Sequence, residues 1–106
     1  MDNKLTDNEI EVLEVLIHMY LLLDNIDAAE RGLKALIAVC PKNLWALGAR
    51  AIVCDKKGEY KEVIRFTDDL SAYSDDKKKA LNFLRARAFM KLGDEVKAKE
   101  CLFKKF

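Results

Sequence analysis

Apolar residues recur at three- and four-residue steps along almost the whole chain, and each periodic stretch ends on a residue type that stops a helix. The first stretch carries Ile10, Leu13, Ile17, Tyr20 and Leu21, then meets Asp24-Asn25, which tolerate a left-handed turn. Just upstream, Thr6-Asp7-Asn8-Glu9 has the form of a capping box, with the Thr6 hydroxyl accepting from the Glu9 amide and the Glu9 carboxylate reaching back to the Thr6 amide. A second helix over about 26–39 presents Ala29, Leu33, Leu36 and Ile37 on one face. It stops before Pro41, which cannot continue the hydrogen-bond ladder. Asn43 is placed to cap a third helix that closes on Gly58. Between Leu44 and Cys54 its only charged side chain is Arg50, so it requires cover on nearly all sides. The fourth helix is expected over 60–72 with Val63, Ile64, Phe66 and Leu70. Ser74, followed by Asp75 and Asp76, begins a fifth that carries Leu81, Leu84, Ala88 and Phe89 to Gly93; the sixth covers 94 to about 104.

The turns between paired helices repeat. Leu23-Asp24-Asn25-Ile26-Asp27-Ala28-Ala29 returns as Lys57-Gly58-Glu59-Tyr60-Lys61-Glu62-Val63 and as Leu92-Gly93-Asp94-Glu95-Val96-Lys97-Ala98, at steps of 34 and 35 residues. A helix on each side of a turn with this period is the mark of the tetratricopeptide repeat. The predicted fold is therefore all-α: three tetratricopeptide-like helix pairs, about 7–40, 43–72 and 75–105, forming a short right-handed solenoid with a concave groove in a single domain, 1–106.

Counting from the turns puts Tyr20, Cys54 and Phe89 in one repeating slot, Ile17, Ala51 and Ala86 in a smaller one, and Ala29, Val63 and Ala98 where paired helices approach closely. A competing register aligns Ala49-Arg50-Ala51 with Ala86-Arg87-Ala88 at 37 residues. It moves Trp45 into the consensus tryptophan slot and assigns two extra residues to the Asp55-Lys56-Lys57 turn. Both registers remain open on pattern alone.

Composition narrows the function classes. Lys and Arg total 19 against 18 acids, so a net charge of +1 gives no general attraction for a polyanion. No apolar run, Met19 to Leu23 included, approaches the roughly 20 residues of a membrane span. Met1-Asp2-Asn3-Lys4 lacks the basic and apolar regions of a secretory signal. Cys40, Cys54 and Cys101 are odd in number and far apart, which favours a reducing cytoplasmic setting over a disulfide framework. With His18 the sole histidine, no metal-ligand spacing is present, and no Gly-rich phosphate loop or nucleophile motif suggests a cofactor or an enzyme. Neither metal, cofactor nor catalytic residues are expected.

Binding is the remaining chemistry. In helix-pair solenoids the first helix of each pair lines the concave surface, and turn-based counting places Leu21, Leu22, Ile52, Phe83, Arg87 and Met90 there with His18, Arg50 alongside and Trp45 at the rim. Such a surface fits the apolar stripe of an amphipathic helix. Phe83 and Trp45 are the expected anchors, Arg50 and Arg87 the partners of client acids, while Leu21 and Ile52 read equally as core. Gly48 marks either close approach by a partner or internal packing; Gly32 reads as internal packing. The apolar end Leu102-Phe103-Lys104-Lys105-Phe106 departs from the polar cap usual for repeat arrays. It either covers its own neighbour or forms an interface.

The layout resembles the YscY-type chaperones of bacterial type III secretion systems. The resemblance rests on Leu5-Thr6, the stretch Ala35-Leu36-Ile37-Ala38-Val39-Cys40-Pro41-Lys42-Asn43-Leu44 before an Arg-containing apolar helix, and the closing Leu92-Gly93-Asp94 with Lys97-Ala98. It implies a cytoplasmic chaperone that binds a small secreted client of the YscX type and engages the export-gate component of the apparatus. It implies neither nucleic-acid binding nor membrane insertion. Arg50 and Arg85 at the leucine slot and Ile17 at the glycine slot depart from the repeat consensus. The alternatives are a needle-subunit chaperone of the same system, a generic tetratricopeptide adaptor, a DNA-contacting regulator and a self-associating scaffold.

Overall fold

A computed structural model describes residues 5–68, 70 and 73–103. Among them are six helices and no strand: α1 (Asp7–Leu22), α2 (Ile26–Val39), α3 (Leu44–Lys56), α4 (Tyr60–Asp68), α5 (Asp75–Lys91) and α6 (Glu95–Phe103). The all-α expectation holds.

Side-chain caps set most of the starts. At α1 both halves of the capping box form, Thr6 N to Glu9 Oε1 at 3.0 Å and Glu9 N to Thr6 Oγ1 at 3.1 Å. The other N-terminal amides are met by Asn25 Oδ1 from Ala28 N, Asn43 Oδ1 from Ala46 N and Asp94 Oδ1 from Lys97 N, at 3.3, 3.0 and 3.1 Å. Ser74 has the extended backbone of a cap before α5, but its hydroxyl makes no capping bond; the first-turn carboxylates Asp75 and Asp76 are what favour the positive end there.

The three turns share one geometry. Asp24, Gly58 and Gly93 adopt positive φ of 59°, 76° and 85°. The following amides, of Asn25, Glu59 and Asp94, each donate back to the carbonyls of Tyr20, Cys54 and Phe89 at 2.8 Å. This bond to a carbonyl five residues back, closed by a left-handed residue, satisfies carbonyls the helix end would otherwise leave open. The turn after α3 holds no extra residues, so the backbone follows the 34- and 35-residue register rather than the 37-residue one.

Two of the repeating slots are buried in all three pairs. Ala29, Val63 and Ala98 are buried, as are Ile17, Ala51 and Ala86. Ile17 is the bulky exception among alanines, and the residue facing it explains why: a Cβ built on Gly32 would lie 2.8 Å from Ile17 Cγ1. The same register puts Phe66 and Cys101 in the Gly32 slot. A large residue on the first helix thus goes with glycine on the second, and alanine with a larger one.

α4 is shorter than the pattern suggests. It ends at Asp68, and Leu70, expected within it, is buried but outside the helix; residues 69, 71 and 72 lie outside the described residues. Side chains add bonds to carbonyls in its last two turns. The Thr67 hydroxyl donates to Val63 O at 2.8 Å, and Arg85 Nη1 donates to Ile64 O at 3.2 Å and Thr67 Oγ1 at 2.9 Å, with Asp68 as its ion-pair partner. Arg85, a departure from the repeat consensus, thereby ties α5 to the end of α4.

The chain divides into two compact units, residues 1–46 and 47–106. In the first, α1 packs on α2 through Ile17, Ala28, Ala29, Leu33 and Leu36, and Asn43 Nδ2 reaches Glu14 Oε1 at 3.4 Å. In the second, Cys54 of α3, Val63 of α4 and Ala88 of α5 form a buried cluster, closed by Tyr60, Ile64, Phe66 and Leu84, and α6 packs on α5. The extra space at Gly48 is filled from within this unit, because an added Cβ would lie 3.1 Å from Tyr73 Oη. Both helical glycines thus serve internal packing.

Candidate functional site

The expected binding residues separate by burial. Leu21 and Trp45 are half-buried and Leu22 is exposed, all in the first unit. In the second unit Ile52, Phe83, Met90 and Arg87 are exposed, whereas Arg50 is not.

Arg50 corrects the reading that paired it with client acids. It is only 8% exposed, and its guanidinium lies 5.4 Å from the centre of the Phe66 ring, which also receives Arg65 at 4.6 Å. A planar, weakly hydrated cation on an aromatic face is a stable way to bury this group, and at that burial little of the guanidinium is open to a client carboxylate. Nearby, burial pushes the Cys54 thiol up to about 11, against the opposing pull of Arg50. Cys54 is a packing residue with little thiolate to offer.

Arg87 lies at the surface. Its Nε donates to Asp55 Oδ1 at 3.1 Å, joining α5 to the last full turn of α3. The Asp55 side chain is largely covered, while that of Arg87 is 58% exposed and retains donors that face solvent. Helical spacing arranges the rest around this bridge: Ile52 lies one turn before Asp55, Phe83 one turn before Arg87 and Met90 one turn after it. Phe83 at 68%, Met90 at 52% and Ile52 at 45% make an apolar surface with one cation at its middle.

Of two further apolar surfaces, the first escaped the sequence pattern and the second was left open by it. The outer side of α1 exposes Val12, Val15, Leu16, Met19, Leu22 and Leu23, spaced at three and four residues and turned away from the Ile10, Leu13, Ile17 and Leu21 face. Tyr20, placed by counting in one repeating slot with Cys54 and Phe89, is 37% exposed, unlike Cys54 in the matching position. The missed signal was the number of apolar residues in α1, too large for one face. On α6, Val96, Leu102 and Phe103 are exposed; Lys104, Lys105 and Phe106 lie outside the described residues.

No group of three or more His, Cys, Asp or Glu among the described residues is arranged to hold a metal ion, and no described helix is long and apolar enough to cross a membrane. Cys40, Cys54 and Cys101 are unpaired thiols. Comparisons with protein-family profiles, with curated proteins and with solved structures give no match to the chain.

Proposed function

We propose that the chain is a non-enzymatic, client-binding chaperone of a bacterial type III secretion system, similar to the YscY type, working in the cytoplasm. Its three helix pairs continue as a tetratricopeptide-like right-handed solenoid, and the identical turns support that arrangement. The client is a small secreted protein of the YscX type, held through one amphipathic helix and delivered with the chaperone to the export gate.

The exposed α3 and α5 face carries this reading. Ile52, Phe83 and Met90 offer apolar area that water penalises, and Arg87, already oriented by Asp55, supplies a directional contact for a client acid. Burying such a face hides a client helix that would otherwise self-assemble, at no cost in chemistry. The same face serves a needle-subunit client or a general adaptor partner equally well in physical terms; the resemblance in the sequence favours the YscX type.

Co-expression with the YscX-type protein of the same secretion system tests it. Phe83→Ala combined with Met90→Ala abolishes co-purification while leaving the helical circular dichroism intact, and Arg87→Glu weakens it unless a client acid is changed to lysine. Undiminished co-purification by the double variant removes the α3 and α5 face from consideration.

A further inference from the structure

We infer that Met90 is a site of reversible oxidation, and that its sulfoxide switches off binding at the α3 and α5 face. Such a switch presupposes the client reading of that face and regulates it.

Five sulfur atoms lie among the described residues, and they differ in how open they are to a small oxidant. Cys54 is fully buried, and burial pushes its thiol up to about 11, so almost none of it is thiolate at neutral pH. Cys40 and Cys101 are half-buried free thiols. Met19 and Met90 are the open ones, 50% and 52% exposed. A thioether needs no deprotonation before it reacts, because its sulfur lone pair attacks an oxygen of hydrogen peroxide directly. The O–O bond breaks and an S–O bond forms; the sulfur is oxidised by two electrons, and the peroxide is reduced to water.

Met90 is the one of the two whose oxidation reaches the binding face. It stands one turn after Arg87 on α5, on the same exposed surface as Ile52 and Phe83. Oxidation turns a flexible apolar side chain into a polar one whose oxygen accepts hydrogen bonds. Burying that oxygen against the apolar stripe of a client leaves it without a donor, which penalises the complex. Where it accepts instead from Arg87, it occupies a guanidinium that is otherwise open to a client acid. Both consequences weaken binding. Met90 is also outside the buried cluster of Cys54, Val63 and Ala88, so the helices keep their packing when it is oxidised.

The test treats the purified chain with hydrogen peroxide, restores its thiols with dithiothreitol and mixes it with the untreated YscX-type protein of the same secretion system. Peptide mass mapping finds an added oxygen on Met90 as readily as on Met19, and the helical circular dichroism is unchanged. Retention of the client falls about tenfold, the loss expected when one buried methionine contact is forfeited. Methionine sulfoxide reductases for both sulfoxide epimers restore it. Met90→Leu keeps its client after peroxide, whereas Met19→Leu stays as sensitive as the wild type. Oxidised wild type that retains its client as well as the untreated chain overturns the inference and leaves the client reading in place. So does Met90 that stays unoxidised while Met19 reacts, or an equal loss in Met90→Leu, which would put the effect at another sulfur. Untreated wild type that fails to hold the client removes the client reading itself, and the switch with it.

Discussion

Ile17 and Gly32 show how one residue's size is set by another. Ile17 is fully buried in a slot that holds alanine in the other two helix pairs, and the room comes from the missing Cβ opposite. Gly32→Ala should gain about 1 kcal/mol of helix propensity, yet at 2.8 Å the new methyl forces the buried Ile17 branch to move. Overpacking of that kind costs about 1–3 kcal/mol, so the variant is expected to be less stable in chemical denaturation. The same change in an Ile17→Ala background should be neutral or stabilising. Equal destabilisation in both backgrounds would refute the size exchange. The repeating slots were readable by counting, but not this compensation, because counting places residues without their volumes. Arg50 and Arg85 make a similar point: each was visible as a charge at an apolar slot, while Phe66 and the α4 carbonyls that receive them come from other helices.

At the scale of the element, local chemistry explains starts and stops. The α1 capping box was visible in four consecutive residues and forms in both directions. Thr6→Ala should cost about 1 kcal/mol. Its pH dependence has a definite sign. Glu9 titrates below its ordinary range when folded, so its contribution is fully present above the unfolded value and is lost as pH falls through the folded one. The stability difference between wild type and Glu9→Gln, followed by thermal unfolding, should therefore shrink as the solution is acidified below the carboxylate range. A difference that persists at low pH would place the effect elsewhere. The end of α4 was misread for the opposite reason: Thr67 and a guanidinium from α5 meet near it, a tertiary contact no local pattern reports. α1 was half legible. Its periodicity gave the face that packs on α2, and the second apolar face appeared only once that packing used up the first.

For the whole molecule, charge decides between partner classes. A chain with 19 basic and 18 acidic residues, the acids spread through both halves, has no net charge that would draw it to phosphates. A mobility-shift assay at low salt should show no complex with duplex DNA at micromolar protein; a salt-sensitive shift would reopen the regulator reading. The exposed apolar residues lie on α3 and α5 around Arg87, on the outer side of α1 beside acidic residues, and on α6 among both lysines and glutamates.

Six helices, their caps and the equal turns at Asp24, Gly58 and Gly93 were determined by the sequence itself, because each depends on hydrogen bonds and backbone preferences within a few residues. Which apolar residues face water was decided by the tertiary structure alone. Val12 and Ile17, or Phe83 and Phe66, have the same transfer preference, and only the packing of a neighbouring helix determines which member of each pair is covered and which is left for a partner.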